Sequence, residues 1–281
     1  MKVAAKAVIS IPVLLALFMG FAFTSPCPAG TLSITSQTSV TVTGERLQGA
    51  VLVINRGDVP AHNVRADVTI LGETIGTQAK PVLGVNESGS FLFERRLGAI
   101  QKGRYPVTVM VYFHDAKDYA FSSLSCTTFS YGENVKGDLV SSGDSLSMGI
   151  EGALQFRLVN PGSERKNVRA TIILPREFSS PLPSMDFQLE PESRKIVSFP
   201  VTNFSAFSGA TYPVFSFFEY DLGDTHHTVV CTAILKITGG GNWFRQTRWY
   251  WAGGWVLLLG GFVLFRRIRK TLVKAKKVDI F

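Results

Sequence analysis

The two halves of this chain carry the same landmarks at nearly the same spacing. Asn55-Arg56-Gly57 returns as Asn160-Pro161-Gly162, and Asn63-Val64-Arg65-Ala66 as Asn167-Val168-Arg169-Ala170. Tyr105-Pro106-Val107 returns as Tyr212-Pro213-Val214, and Cys126 as Cys231. The offsets are 105, 104, 107 and 105 residues. A repeat of that length is a whole domain, so whatever the first half folds into, the second must fold into again.

Between the landmarks lie short segments such as VLVIN, VRADVTIL, YPVTVMVYF, VRATIIL and TVVCTAILKI, separated by Gly, Pro, Asn and Asp. Alternation of apolar and polar residues with period two marks half-buried strands, and β-branched residues favour them. No stretch between Thr31 and Gly241 has a convincing helical period. A unit of roughly 100 residues with about seven strands is the size of one immunoglobulin-like (Ig-like) sandwich. The fold expected is therefore all-β, with two tandem Ig-like β-sandwiches over residues 30–134 and 135–238.

Charge settles what the ends do. The net charge of +8 would suit a nucleic-acid partner if it covered a folded face. Instead Arg266, Arg267, Arg269, Lys270, Lys274, Lys276 and Lys277 crowd the last residues against Asp279 alone, and Lys2 and Lys6 begin the chain. These ends account for the whole excess; the middle is neutral, and no nucleic acid is expected. Ala7 to Phe23 is apolar, follows those two lysines and precedes small residues, which is the pattern of a secretory signal peptide. Cleavage after Ala22 or Ala29 fits, and an uncleaved anchor is the alternative; either way residues 1–29 direct the middle of the chain to export. A lipid-modified Cys27 fits poorly, because Pro26 stands where a small residue is wanted.

Trp249 to Phe265 is uncharged over 17 residues, the short end of a spanning helix. Trp243, Trp249, Tyr250, Trp251 and Trp255 gather toward one end, where such rings sit at headgroup level, and the seven cations follow the other. The expected order is a linker at 239–248, a transmembrane helix at 249–265 and a basic cytoplasmic tail at 266–281. Residues 30–248 would lie outside the cytoplasm, with membrane lipid as one partner.

A strand ending in Asn-x-Gly, a short polar turn, then Asn-Val-x-Ala and a second strand resembles the bacterial CARDB-type domain, a cell-adhesion-related Ig-like module. The likeness spans most of each half, although its motif is short and mainly structural. It implies an extracytoplasmic, non-catalytic sandwich often found in tandem, with no catalytic residues to carry over. The turn at Asp58 to Ala61 departs from it by being one residue longer than its counterpart.

No catalytic, cofactor or metal site is expected from the remaining residues. Cys126 and Cys231 fall at matching places in two separate cores, too far apart to bond, and read as buried thiols; Cys27, if retained, could instead reach Cys126. His226-His227 lie beside Asp221 and Asp224, but neighbouring strand residues face opposite ways and cannot easily share an ion. His114-Asp115 reads the same way, and Asp caps turns locally. No serine stands in a nucleophile elbow, and no phosphate loop occurs. Arg56-Gly57-Asp58 spells an adhesion tripeptide, yet it coincides with the repeat's turn, and the second copy lacks it. Asn86-Glu87-Ser88 and Asn203-Phe204-Ser205 are glycan acceptors only in a host with that machinery.

Two features point to partners. Phe215 and Phe217 alternate with Phe218 and Tyr220, so both faces of one strand are apolar, and Phe218 and Tyr220 are candidate contacts for a partner, the other domain or lipid. In the apolar helix Gly253 and Gly254 recur as Gly260 and Gly261, two turns on, and such a smooth strip lets a second helix approach. The expectation is a non-enzymatic binding or scaffolding protein of the cell envelope with a protein partner. Its rival is an accessory subunit of a transport or secretion complex, assembling through the helix. Replacing Gly254 and Gly261 by Leu should weaken association in a two-helix membrane reporter without affecting insertion; unchanged association with itself and with candidate partners would leave the helix a plain anchor.

Overall fold

The computed structural model describes residues 31–132, 135–238 and, between 250 and 267, all but 252, 256, 263 and 264. The expected signal segment lies outside the described residues, as do Trp249 and the tail beyond 267. Helical residues occur at 250–251, 253–255, 257–262 and 265–267, all exposed. Among the described residues no helix is long and apolar enough to cross a membrane.

Everything else regular is β-structure. The first half contributes β1 (Ile34–Thr43), β2 (Arg46–Asn55), β3 (Ala61–Ile70), β4 (Glu73–Gly76), β5 (Lys80–Leu83), β6 (Ser88–Arg96), β7 (Lys102–His114) and β8 (Ala120–Tyr131). The second contributes β9 (Val140–Gly143), β10 (Ser145–Met148), β11 (Glu151–Val159), β12 (Lys166–Ile173), β13 (Phe178–Ser179), β14 (Ser184–Leu189), β15 (Arg194–Asn203), β16 (Thr211–Leu222) and β17 (Thr225–Ile237). In the first half β1, β2 and β6 form one antiparallel sheet, and β4, β3, β7 and β8 the other, with β5 also on β3. In the second, β13, β15, β11 and β9 face β14, β12, β16 and β17, with β10 added parallel to β17. The architecture is sandwich-like throughout.

Alternation explains the layering. Along β7 every odd-numbered residue from Gly103 to Phe113 is buried and every even-numbered one is not, as a strand between a core and another surface requires. Two cores result. The first collects Leu47, Val53, Val68, Phe91 and Val109, and the second Leu154, Phe156, Phe199, Phe218 and Leu235. Phe156 meets Phe199 and Phe218 edge-on at ring separations of 6.0 and 6.2 Å, a geometry worth about 1 kcal/mol per pair beyond the buried area.

The repeated asparagine is a staple in both halves. Asn55 is fully buried; its amide donates to the Val59 and Leu83 carbonyls at 2.8 and 3.2 Å, and its oxygen accepts from Gly57 N–H at 2.9 Å. Asn160 does the same with Glu164, Glu190 and Gly162 at 2.8, 2.9 and 3.2 Å. One side chain thus satisfies two backbone groups of its own turn and a carbonyl of the segment packed beside it, Leu83 or Glu190, which is why the position recurs.

The halves are joined in one sheet. β17 runs parallel to β7 where Thr225 pairs with Lys102 and His226 with Gly103. Both strands begin there, so His114 and Ile237 end on the same side of the molecule. β16 holds the place in the second half that β7 holds in the first, and it runs antiparallel to β17. The two repeats therefore lie side by side and inverted. The chain crosses between them at one end, where Tyr131 pairs with Gly103 and Asp138 N–H donates to the Tyr220 hydroxyl at 2.9 Å. Thr31, whose carbonyl accepts from Asp58 N–H at 3.0 Å, lies at the other end beside the His62–His114 pair, and Thr238 lies there too.

Asn160→Ala would leave those three backbone groups without their side-chain partner and should lower stability by about 3 kcal/mol, with Asn55→Ala comparable, read as a shift in urea midpoint at constant slope. A loss within experimental error for either would mean that the staple carries no weight.

Candidate functional site

Phe218 is fully buried and Tyr220 is 3% exposed, both within the second core. Neither ring is presented to a partner. The opposite face of β16 accounts for the excess of aromatics. Phe217, buried but outside both cores, lies on the side where β8 of the first half comes against β16, and Leu124 on β8 is likewise buried and outside both cores. One face of the strand packs its own core and the other packs the neighbouring domain.

This seam is the most elaborated polar region of the described molecule. Glu177, 4% exposed, accepts from Ser122 N–H at 3.0 Å and from the Ser122 hydroxyl at 2.7 Å, and that hydroxyl also accepts from Arg176 N–H at 3.3 Å. The Arg65 and Arg176 guanidiniums lie 5.1 and 5.9 Å from the Tyr112 ring centre. Thr228 donates to the Arg104 carbonyl at 2.7 Å, His226 stacks on Tyr105 at 4.5 Å, and Phe207 stacks on Phe121 at 5.5 Å. Removing one partner of a buried hydrogen-bonded group of this kind costs about 1–3 kcal/mol.

Beside the seam, at the end where the chain crosses over, a cleft of about 610 Å³ opens on the second half, lined in part by Arg169, Asp186, Glu219, Asp221 and His226. Its charges pair with one another. Arg169 grips Asp186 through two hydrogen bonds of 2.8 and 3.2 Å, and His226 reaches Asp221 at 2.8 Å and Glu219 at 3.4 Å. Burial pulls the His226 imidazole down, but its hydrogen bonds to the Glu219 and Asp221 carboxylates outweigh it and hold it above its ordinary value. His227 points the other way, stacking on Tyr220 at 5.0 Å, and burial holds it below its ordinary value. The Asp138 carboxylate, though burial pushes it up, is kept below its usual range by Tyr220 and by Lys166, a nearly inaccessible ammonium 3.0 Å away. Among the described residues no three His, Cys, Asp or Glu side chains are placed to hold a metal ion.

The sequence matches no family model and no curated protein. The CARDB-type resemblance therefore rests on the repeat motif alone. Solved structures similar to the chain include a red sea bream transglutaminase, with 12% identity, 73% of this chain and 31% of that chain covered, and a TM-score of 0.25. Escherichia coli alpha-2-macroglobulin activated by porcine elastase gives 10%, 73%, 22% and 0.30, and its trypsin-activated form 10%, 73%, 18% and 0.29. The chain spans a third or less of the length of these proteins.

The remaining candidates each have a place. Cys126 and Cys231 are free thiols, and Cys27 lies outside the described residues. Cys231 sits in the second core as expected, but Cys126 is not in the first. It lies on the same face of β8 as Ser122 and Leu124, toward the second half. The β7–β8 connection is longer than the β16–β17 one, and with period two an odd difference turns a residue to the opposite face. Burial pushes the Cys126 thiol up to about 12 and raises Cys231 as well. Asp115 caps its turn through Lys117 and Tyr119 N–H at 2.8 and 2.9 Å, and His114 pairs with Asp118 at 2.9 Å. Gly57 packs so closely on Thr31 that a β-carbon would lie 2.1 Å from its carbonyl oxygen, so Arg56-Gly57-Asp58 holds the start of the described chain. A β-carbon on Gly253, Gly254, Gly260 or Gly261 would meet nothing within 4 Å.

The polar residues of the seam escaped sequence reasoning because Ser122, Glu177 and Arg104 are ordinary surface types; Gly103, just before the repeated Tyr-Pro, was the one local signal. His226 supplies a test of the charge pairing in the cleft. A histidine held above its unfolded value near 6.5 stabilises the fold fully below that value and loses the contribution as pH rises through the folded value. The wild type should therefore exceed His226→Gln in melting temperature by more at about pH 5.5 than at about pH 8. A difference that does not change with pH would mean that Glu219 and Asp221 do not hold the imidazole above its ordinary value.

Proposed function

We propose that the chain is a membrane-anchored, extracytoplasmic, non-enzymatic protein of the cell envelope, in which two Ig-like sandwiches of CARDB-like type form one rigid binding or scaffolding body. The observation that carries this reading is the inverted pairing of the halves. It brings Thr31 and Thr238 to one end, so that the expected export segment before residue 30 and the apolar segment 249–265 both connect to the same side. A body with both ends on one side can stand on a membrane. The non-enzymatic part is supported by how the candidate groups are spent: Asp115 caps a turn, the thiols are held protonated, and both His226 nitrogens are engaged by carboxylates.

Protease added outside intact cells or spheroplasts should then remove residues 31–240 and leave the basic tail after Arg266. Sandwiches that stay protected while an external control protein is digested would reject the topology. Crosslinking in native membranes, with identification of what copurifies, names the partner.

The open glycine strip of the helix favours a second reading, an accessory subunit assembling through that helix with a transport or secretion component. Association that survives deletion of both sandwiches would select it.

A further inference from the structure

The two ends of the second sandwich differ in character. At the end where the chain crosses over, its connections 160–165, 190–193 and 223–224 carry the exposed charges Glu164, Arg165, Glu190, Glu192 and Asp224. At the end where Thr238 leaves, the connections 149–150, 180–183 and 204–210 contain no charged residue. They instead expose Ile150 (72%), Phe204 (69%), Phe207 (53%) and Leu182 (45%). Arg176, in the neighbouring connection, is exposed but lies over Tyr112 toward the seam.

These tips are tied to the departing strand and to one another. Gly209 N–H donates to the Ile237 carbonyl at 2.7 Å, Thr238 N–H to Met148 at 2.9 Å, and Asn203 N–H to Ile150 at 2.7 Å. Ile150 and the Phe204–Phe207 loop are thereby fixed around the point from which the chain continues toward its apolar segment. Only residues 239–249 intervene before Tyr250, a length that spans at most roughly 40 Å.

We propose that Ile150, Leu182, Phe204 and Phe207 form a lipid-contacting rim that dips into the bilayer interface and holds the double sandwich upright. The inference rests on the membrane-anchored reading above. Bulky apolar side chains on uncharged loops gain by entering the headgroup and acyl boundary. In water the same side chains leave an apolar patch on loops that carry no charge; Phe207 stacks on Phe121 of the first half and is still 53% exposed. The tether keeps the bilayer within reach, and no charge on these loops opposes entry. Phe and Leu are among the side chains that interfacial segments bury at that depth.

The test uses the full chain carrying Cys27→Ser, reconstituted in phosphatidylcholine vesicles. A single exposed cysteine at Ser205 or Ser208, or at Ser163 on the charged end, carries an NBD fluorophore. The sites at 205 and 208 leave both phenylalanines in place. Doxyl-labelled phosphatidylcholine should quench NBD at 205 and 208 about threefold more than at 163, as interfacial depth requires. Phe204→Ser with Ile150→Ser should bring position 205 down to the level of 163 while leaving the Phe207–Phe121 stack in place, with an unchanged melting curve checking the fold; Phe204→Ser alone should give part of that loss. Equal quenching at all three sites in a chain that floats with the vesicles overturns the rim and leaves the anchor standing. A chain that does not float with vesicles overturns both.

Discussion

Gly103 lies against the backbone of His226 with no room for a side chain: a β-carbon there would come within 2.1 Å of the His226 carbonyl oxygen, and its φ of 147° suits glycine. Only two residues of each strand pair at this point, yet the pairing fixes the direction of one half relative to the other. The aromatic and polar contacts of the seam belong to that one direction. Which residues of β8 and β16 face solvent, where the chain crosses over, and which loops share an end all depend on it.

Much of this architecture was legible in the primary structure. Period-two alternation located the strands because burial of one face leaves a mark at every second position, as along β7. The recurring Asn-x-Gly marked a place where backbone groups must be satisfied from inside, and Asn55 and Asn160 do that with matching partners. The seam was illegible because nothing in a single sequence shows which face of a strand meets another domain. Phe218 and Tyr220 looked like surplus apolar surface until Phe217 and β8 supplied the other side. Cys126 and Cys231 look equivalent by counting, and a difference in hairpin length separates their environments.

The candidate cleft illustrates how chemistry-bearing residues can be used up by structure. Arg169 and Asp186 face each other in a two-point grip, and the His226 imidazole lies between two carboxylates against Tyr105. The exposed Arg169–Asp186 pair contributes little to stability, while the His226–Glu219 pair is half-buried.

The thirteen residues of β17 also define a line of force. The strand begins at the crossover end and finishes where the chain departs, and it pairs with β16 over twelve consecutive positions. A pull applied to the crossover end against an anchor beyond Thr238 would run along these strands, loading their hydrogen bonds together in shear instead of opening them one at a time. The Gly103–His226 bridge lies at the origin of that line, so tension would pass down the second sandwich while the first is carried alongside it.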